Sequence, residues 1–182
     1  WYGSLFNDLA FNQKVNFNIR GGTKKITYFM NVGVNHETGM LKNEASKYFS
    51  YKNNIDLMKY TFQNNIDFHM TKSSTISLHL NVQLNDLRQP NTSMGDLYSA
   101  VMNSNPVDFP IAYPADGVNN WVYWGAYSGG NDQGAVNPMA SLTNGYQDIF
   151  ESTVMANIDF EQKLDFLLKG LRFKALFSFK NF

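Results

Sequence analysis

Between residues 116 and 127 the chain crowds Trp121, Tyr123, Trp124 and Tyr127 beside Asp116, Asn119 and Asn120. Flat ring faces next to short polar side chains are what a sugar site uses: stacking holds the apolar face of the ring while amides and carboxylates fix the hydroxyls. The same rings could equally pack the loop upon itself or against a partner surface, where Trp and Tyr are also enriched. Both readings remain open at the level of the sequence.

Other chemistry-bearing groups are sparse. His36, His69 and His79 are the only histidines. A metal pair of His69 and His79 has no third ligand at metal-site spacing, so both read as polar strand residues. Asp116, Asn119, Asn120 and Asp132 offer oxygens to calcium but lack the spacing of a calcium loop, and Asx-type turns account for them better. Asp159 and Glu161 stand two apart, as a pair of catalytic carboxylates could, yet a hydrolytic pair would have to converge from different segments. With no activated nucleophile, phosphate loop or cofactor motif, the expectation is a protein that is not an enzyme and carries no cofactor and no metal.

The composition narrows the classes further. The chain has 182 residues, with 15 Lys and Arg against 15 Asp and Glu, and no cysteine. Zero net charge without a basic run argues against a nucleic-acid binder, and the lack of cysteine excludes disulfide scaffolds and thiolate metal sites. Charged residues make up only 16%, against about 25% in ordinary soluble domains. Something other than water is expected to cover part of the surface. No apolar run approaches the ~18 residues of a membrane-spanning helix, so if lipid is that solvent, strands must meet it.

The elements that must position these groups follow from a period of two. Val15, Phe17 and Ile19 alternate with Asn16, Asn18 and Arg20, and Ile26, Tyr28, Met30, Val32 and Val34 with Thr27, Asn31, Gly33 and Asn35. Tyr60, Phe62, Ile66 and Phe68 precede Ile76, Leu78, Leu80, Val82 and Leu84, and Val154, Ala156, Ile158 and Phe160 precede Phe173, Ala175, Phe177 and Phe179, each set interleaved with polar residues. The pattern predicts six antiparallel strands over residues 12–20, 26–35, 54–70, 75–85, 152–162 and 171–181, paired as three hairpins. Ser93 is placed to cap a short helix from Met94 to Met102.

Short turns alternate with long connections, residues 35–53 and, above all, 86–151. A water-soluble sandwich has no need of that asymmetry, whereas outer-membrane barrels have short periplasmic turns at one rim and long extracellular loops at the other. The fold class expected is therefore all-β, an antiparallel transmembrane barrel segment with loops 35–53 and 86–151 outside the cell. A soluble all-β module that binds carbohydrate or another ligand is the alternative. The two differ in whether the apolar face is enclosed, which period alone does not decide.

Particular stretches resemble one family. Asn16-Phe17-Asn18-Ile19-Arg20-Gly21-Gly22 followed by Ile26-Thr27-Tyr28-Phe29-Met30, the strand Lys59-Tyr60-Thr61-Phe62-Gln63-Asn64-Asn65-Ile66-Asp67, and Asn105-Pro106 through Phe109-Pro110, Tyr113-Pro114-Ala115-Asp116-Gly117, Asn137-Pro138-Met139-Ala140 and Gly145-Tyr146 are similar, in order, to motifs of the SusC/RagA type of TonB-dependent outer-membrane transporter. Lys59, Gln63 and Ser104 depart from the family pattern. The resemblance implies a segment of about six early strands in the wall of a barrel of about 22 strands, with the plug and TonB box not among these residues. It also implies a SusD-like surface lipoprotein as lid, TonB as energy coupler through the plug, and import of oligosaccharides or peptides, with bilayer lipid outside the wall. On that reading the loop residues Asp116, Asn119, Asn120, Trp121, Tyr123, Trp124 and Tyr127 face cargo or lid.

Overall fold

The computed structural model describes residues 1–126 and 136–182. Six strands, β1 (Asn12–Gly22), β2 (Ile26–Thr38), β3 (Asp56–His69), β4 (Ser74–Pro90), β5 (Tyr146–Lys163) and β6 (Arg172–Asn181), form one antiparallel sheet in the order β1-β2-β3-β4-β5-β6. Every strand lies beside its sequence neighbours, and the sheet stays open, with β1 and β6 each paired on one side only. Three short helices, α1 (Tyr2–Leu5), α2 (Met94–Asn103) and α3 (Pro138–Leu142), and a single 3-10 turn (Ala45–Lys47) lie in the connections. The chain is all-β in class, and no helix among the described residues is long and apolar enough to cross a membrane.

Two compact units share the chain. One comprises residues 12–36, 57–86 and 149–182, the other residues 1–11, 37–56 and 87–148. In the first unit the expected alternation sets two chemically distinct sides. A Cβ on Gly33 of β2 would meet Asn16 Oδ1 of β1 and Thr61 Oγ1 of β3, so these three positions share a side. On that side His79 Nδ1 of β4 lies 3.2 Å from Asn65 Oδ1 of β3, and His79 Nε2 3.5 Å from Asp159 Oδ2 of β5. Ser178 of β6 donates to Asn157 Oδ1 at 2.7 Å, and Lys174 reaches Glu161 at 3.1 Å. Polar contacts thus run from strand to strand across the width of the sheet.

The opposite side is apolar. The β5–β6 register opposes Ile158 to Phe177, Ala156 to Phe179 and Phe160 to Ala175, and the Phe160 and Phe173 rings meet edge to face at 6.3 Å. None of these side chains is enclosed: Met30, Val32, Phe68, Leu78, Ile158, Phe177 and Phe179 all stand exposed. No hydrophobic residue of this unit is buried among the described residues. Leu78, Leu80 and Val82, which a soluble barrel would turn into its core, belong to no core here.

Several boundaries differ from the sequence pattern. β4 continues to Pro90 and β5 begins at Tyr146, so the connection between them spans residues 91–145 rather than 86–151. Pairing persists because polar partners take over where apolar alternation stops: Arg88 makes a two-pronged contact with Asp148 at 2.7 and 3.2 Å, and Gln89 donates to Gln147 at 3.3 Å. Gly21 and Gly22 lie inside β1, and the turn proper is residues 23–25, where Thr23 Oγ1 accepts from the amides of Lys25 and Ile26.

Candidate functional site

The second unit has the molecule's core, and the candidate loop is part of it. Leu5, Leu41, Leu97, Val101, Met139 and Leu142 come together from three separate segments, with Trp1, Phe6, Ile55, Ile111 and Trp124 packed around them. Each fully buried aliphatic of this kind contributes roughly 1.5 to 3 kcal/mol, enough to order connections that have no period of their own. Local chemistry sets the helices. Ser93 Oγ accepts from Asp96 N at 3.1 Å and starts α2 where expected, presenting Leu97 and Val101 to the core. Asn137 caps α3, with Pro138 at the first helical position, where its missing N–H costs nothing.

Asn137 also fixes the loop. Its Oδ1 accepts from Met139 N at 2.9 Å and Ala140 N at 3.3 Å, while its Nδ2 donates to Ile111 O at 2.9 Å and Gly125 O at 2.8 Å. A short antiparallel bridge joins Ala112 to Trp124, flanked by Tyr113 N to Tyr123 O at 2.7 Å and Gly125 N to Ile111 O at 3.1 Å. Position 125 requires glycine, because a Cβ there would lie 1.8 Å from Pro110 O.

The seven residues singled out in the sequence separate into distinct roles. Asp116, Asn119 and Tyr123 form one knot: Asp116 Oδ1 accepts from the amides of Val118 at 2.9 Å and Asn119 at 3.0 Å, and Oδ2 accepts from Tyr123 Oη at 2.7 Å and Asn119 Nδ2 at 3.1 Å. The donors, led by the Asn119 amide and then the Tyr123 hydroxyl, hold the carboxyl far below the usual aspartate range. Gly117 takes φ +73° inside this turn. Trp124 packs on the core and meets Tyr48 edge to face at 5.0 Å, so its ring is structural. Trp121, 75% exposed, stands free in solvent with Asn120 beside it in sequence and also exposed. Tyr127 and Asp132 lie outside the described residues.

Among the described residues, the open chemistry at this site is the Trp121 indole, the exposed Tyr113 ring and the Asp116 carboxylate with its amide fringe. That arrangement can stack on a flat apolar face and accept or donate hydrogen bonds beside it. Among the described residues, no cluster of three metal-ligating side chains occurs. Asp159 and Glu161 face different partners, His79 and Lys174, rather than each other's work.

A second set of rings in this unit escaped the sequence reading. Trp124, Tyr48, Phe49, Tyr51 and Tyr146 follow one another at centroid distances of 5.0, 6.4, 5.3 and 5.2 Å, and the Arg88 guanidinium sits 5.7 Å from the centre of the Tyr146 ring. Tyr51 Oη is anchored, accepting from Gly145 N at 3.1 Å and donating to Thr143 O. The signal was present as Tyr48-Phe49-Ser50-Tyr51, dense in rings within a connection otherwise poor in pattern. On the polar side of the sheet, Lys14, Asn16, Asn31, Lys59, Thr61 and Asn81 are among the residues lining a hollow of about 310 Å³.

No family model, no curated protein and no solved structure matches this chain.

Proposed function

We propose that this chain is part of the barrel wall of a TonB-dependent outer-membrane transporter of the SusC/RagA type, importing oligosaccharides or peptides beneath a SusD-like surface lipoprotein. The observation that carries the reading is the uncovered apolar side of the sheet. On β4 the apolar residues of that side run from Ile76 to Leu84, ending at Ser74, whose hydroxyl donates to Gln162 at 2.5 Å, and at the exposed Asp86. Eight residue steps at about 3.4 Å make about 27 Å along the strand. At a tilt of about 40° the height is about 20 Å, near the ~25 Å apolar band of an outer-membrane wall. A soluble protein would have to leave that band in water, and the open sheet edges would add unpaired N–H and C=O groups. The polar side, tied from strand to strand by Asn, Thr, His and Asp, suits a hydrated lumen.

In this reading loops 35–53 and 86–151 are extracellular, and Trp121, Tyr113 and Asp116 face cargo or lid. The test is made in cells. An epitope inserted after Val118, an exposed loop position, should be reached by antibody on intact bacteria, and the polypeptide should fractionate with the outer membrane, retain a surface lipoprotein on detergent extraction, and be needed for growth on one glycan or peptide source. Recovery as a soluble monomer, with the epitope hidden in intact cells, would return the soluble binding module as the better account.

A further inference from the structure

The three hairpin turns differ in chemistry. The first, residues 23–25, is Thr-Lys-Lys and the second, residues 70–73, is Met-Thr-Lys-Ser, with a single exposed apolar side chain, Met70. The third, between β5 and β6, carries Phe166, Leu167 and Leu168 at its tip, 82%, 71% and 66% exposed. The tip is firmly built. Leu164 N donates to Leu171 O at 2.9 Å, Leu167 N to Leu164 O at 2.9 Å, and Leu171 N to Leu168 O at 3.0 Å. Gly170, at φ +86°, donates to Asp165 Oδ1 at 2.8 Å. The turn therefore fixes three large apolar side chains outward without needing any of them for its own closure.

Charge surrounds the tip. Lys163, Lys169, Arg172 and Lys174 lie within a few residues of it, against Asp165 and Glu161. Glu161 is taken by Lys174 at 3.1 Å and Arg172 at 3.7 Å, with Lys163 adding to the positive field on its carboxylate; Asp165 caps Gly170, and Lys169 has no ion-pair partner among the described residues. Apolar side chains held outward beside an unpaired cation match a surface that is apolar at depth and anionic at its edge, which is the headgroup boundary of an anionic bilayer.

We propose that the 164–171 turn is a lipid-dipping element, with Phe166, Leu167 and Leu168 entering the headgroup boundary of an anionic phospholipid leaflet and Lys169 meeting its phosphates. The inference rests on the membrane-wall reading and adds to it a specific lipid contact at the short-turn rim. The test uses two positions. These 182 residues contain no cysteine, so Leu167→Cys and, separately, Leu80→Cys each give one labelling point within this segment of the complete polypeptide, any cysteine elsewhere being replaced by serine. Each is coupled to an environment-sensitive fluorophore after reconstitution into phosphatidylglycerol-rich vesicles or into phosphatidylcholine vesicles.

The label at 167 should be quenched by shallow doxyl lipid and shielded from iodide in the anionic vesicles. Adding Lys169→Gln should lower the ratio of lipid quenching to iodide quenching about five-fold, the effect of one cation near an anionic surface. The label at 80 reports the wall itself and should be quenched by deep doxyl lipid in both vesicle types. A shielded 80 with an iodide-accessible 167 overturns the turn proposal and leaves the wall standing. An iodide-accessible 80 overturns the wall reading and this inference with it. A 167 shielded from both quenchers is covered by protein, which also overturns the lipid contact.

Discussion

Asn137→Ala probes how the loop region is held. The side chain is 94% buried, and its four hydrogen bonds join α3 to the strands of the Ala112–Trp124 bridge. Losing the cap costs about 1 kcal/mol. Gly125 O then loses this donor at a buried position, a penalty of about 1 to 3 kcal/mol, whereas Ile111 O keeps its bond from Gly125 N and suffers less. The sum is about 3 kcal/mol, roughly a hundredfold in the opening equilibrium. Amide hydrogen exchange reads this directly: the Gly125 and Tyr113 amides should exchange roughly a hundredfold faster, while amides of the β5–β6 ladder keep their wild-type rates. Asn137→Asp separates the two roles, because a carboxylate keeps the cap yet points a negative oxygen at two carbonyls. The variant should therefore keep the α3 amides protected while the Gly125 and Tyr113 amides still exchange faster than in the wild type. If Asn137→Ala changes exchange at Gly125 and Tyr113 by less than about threefold, the assigned bonds do not hold the loop and the reasoning fails.

Gly125→Ala puts a methyl group 1.8 Å from Pro110 O, so backbone must move; a loss of at least about 1 to 3 kcal/mol, visible as protease cleavage near residue 110, is expected, and wild-type resistance would contradict it. Trp121→Ala removes a free ring and should weaken cargo uptake or lid association about five-fold, the equivalent of ~1 kcal/mol of stacking, with assembly unchanged; Trp124→Ala should instead loosen the fold, since that ring packs on the core. The Asp116 carboxylate has a depressed pKa, so the stability it lends is fully present above the ordinary value near ~4 and is lost progressively as pH falls from there through the lowered folded-state value. A carbon-13 carboxyl titration should show Asp116 still ionised at pH 3, and a midpoint near 4 would remove the proposed knot.

The strands were legible because alternation survives wherever one side of a sheet differs in solvent from the other, as Ile76 to Leu84 against Ser77 to Asn85 shows. Their ends were not, because Arg88 with Asp148 and Gln89 with Gln147 continue the pairing after the apolar signal has stopped. Helix α2 was readable from one cap residue. The core of the loop unit was hidden, since Leu5, Leu41, Leu97 and Met139 meet through contacts distant in sequence and share no period. At the site, ring density marked the right stretch but did not sort it. Trp121 and Trp124 have the same chemistry three residues apart, and it is the bridge to Ala112 that sets one partly buried against the core and leaves the other exposed.

The central claim is that the Leu78–Leu80–Val82 side of β4 faces lipid and the His79–Asn81–Gln83 side faces a polar interior. The measurement is the folded, heat-modifiable fraction of the full polypeptide in outer membranes for Leu80→Arg against Asn81→Arg. Arginine on the lipid side near the middle of the apolar band should cost about 2 to 4 kcal/mol, reducing that fraction severely, while arginine one residue along, on the polar side, should assemble at close to the wild-type level. Assembly of Leu80→Arg at the wild-type level, or damage confined to Asn81→Arg, would contradict the account.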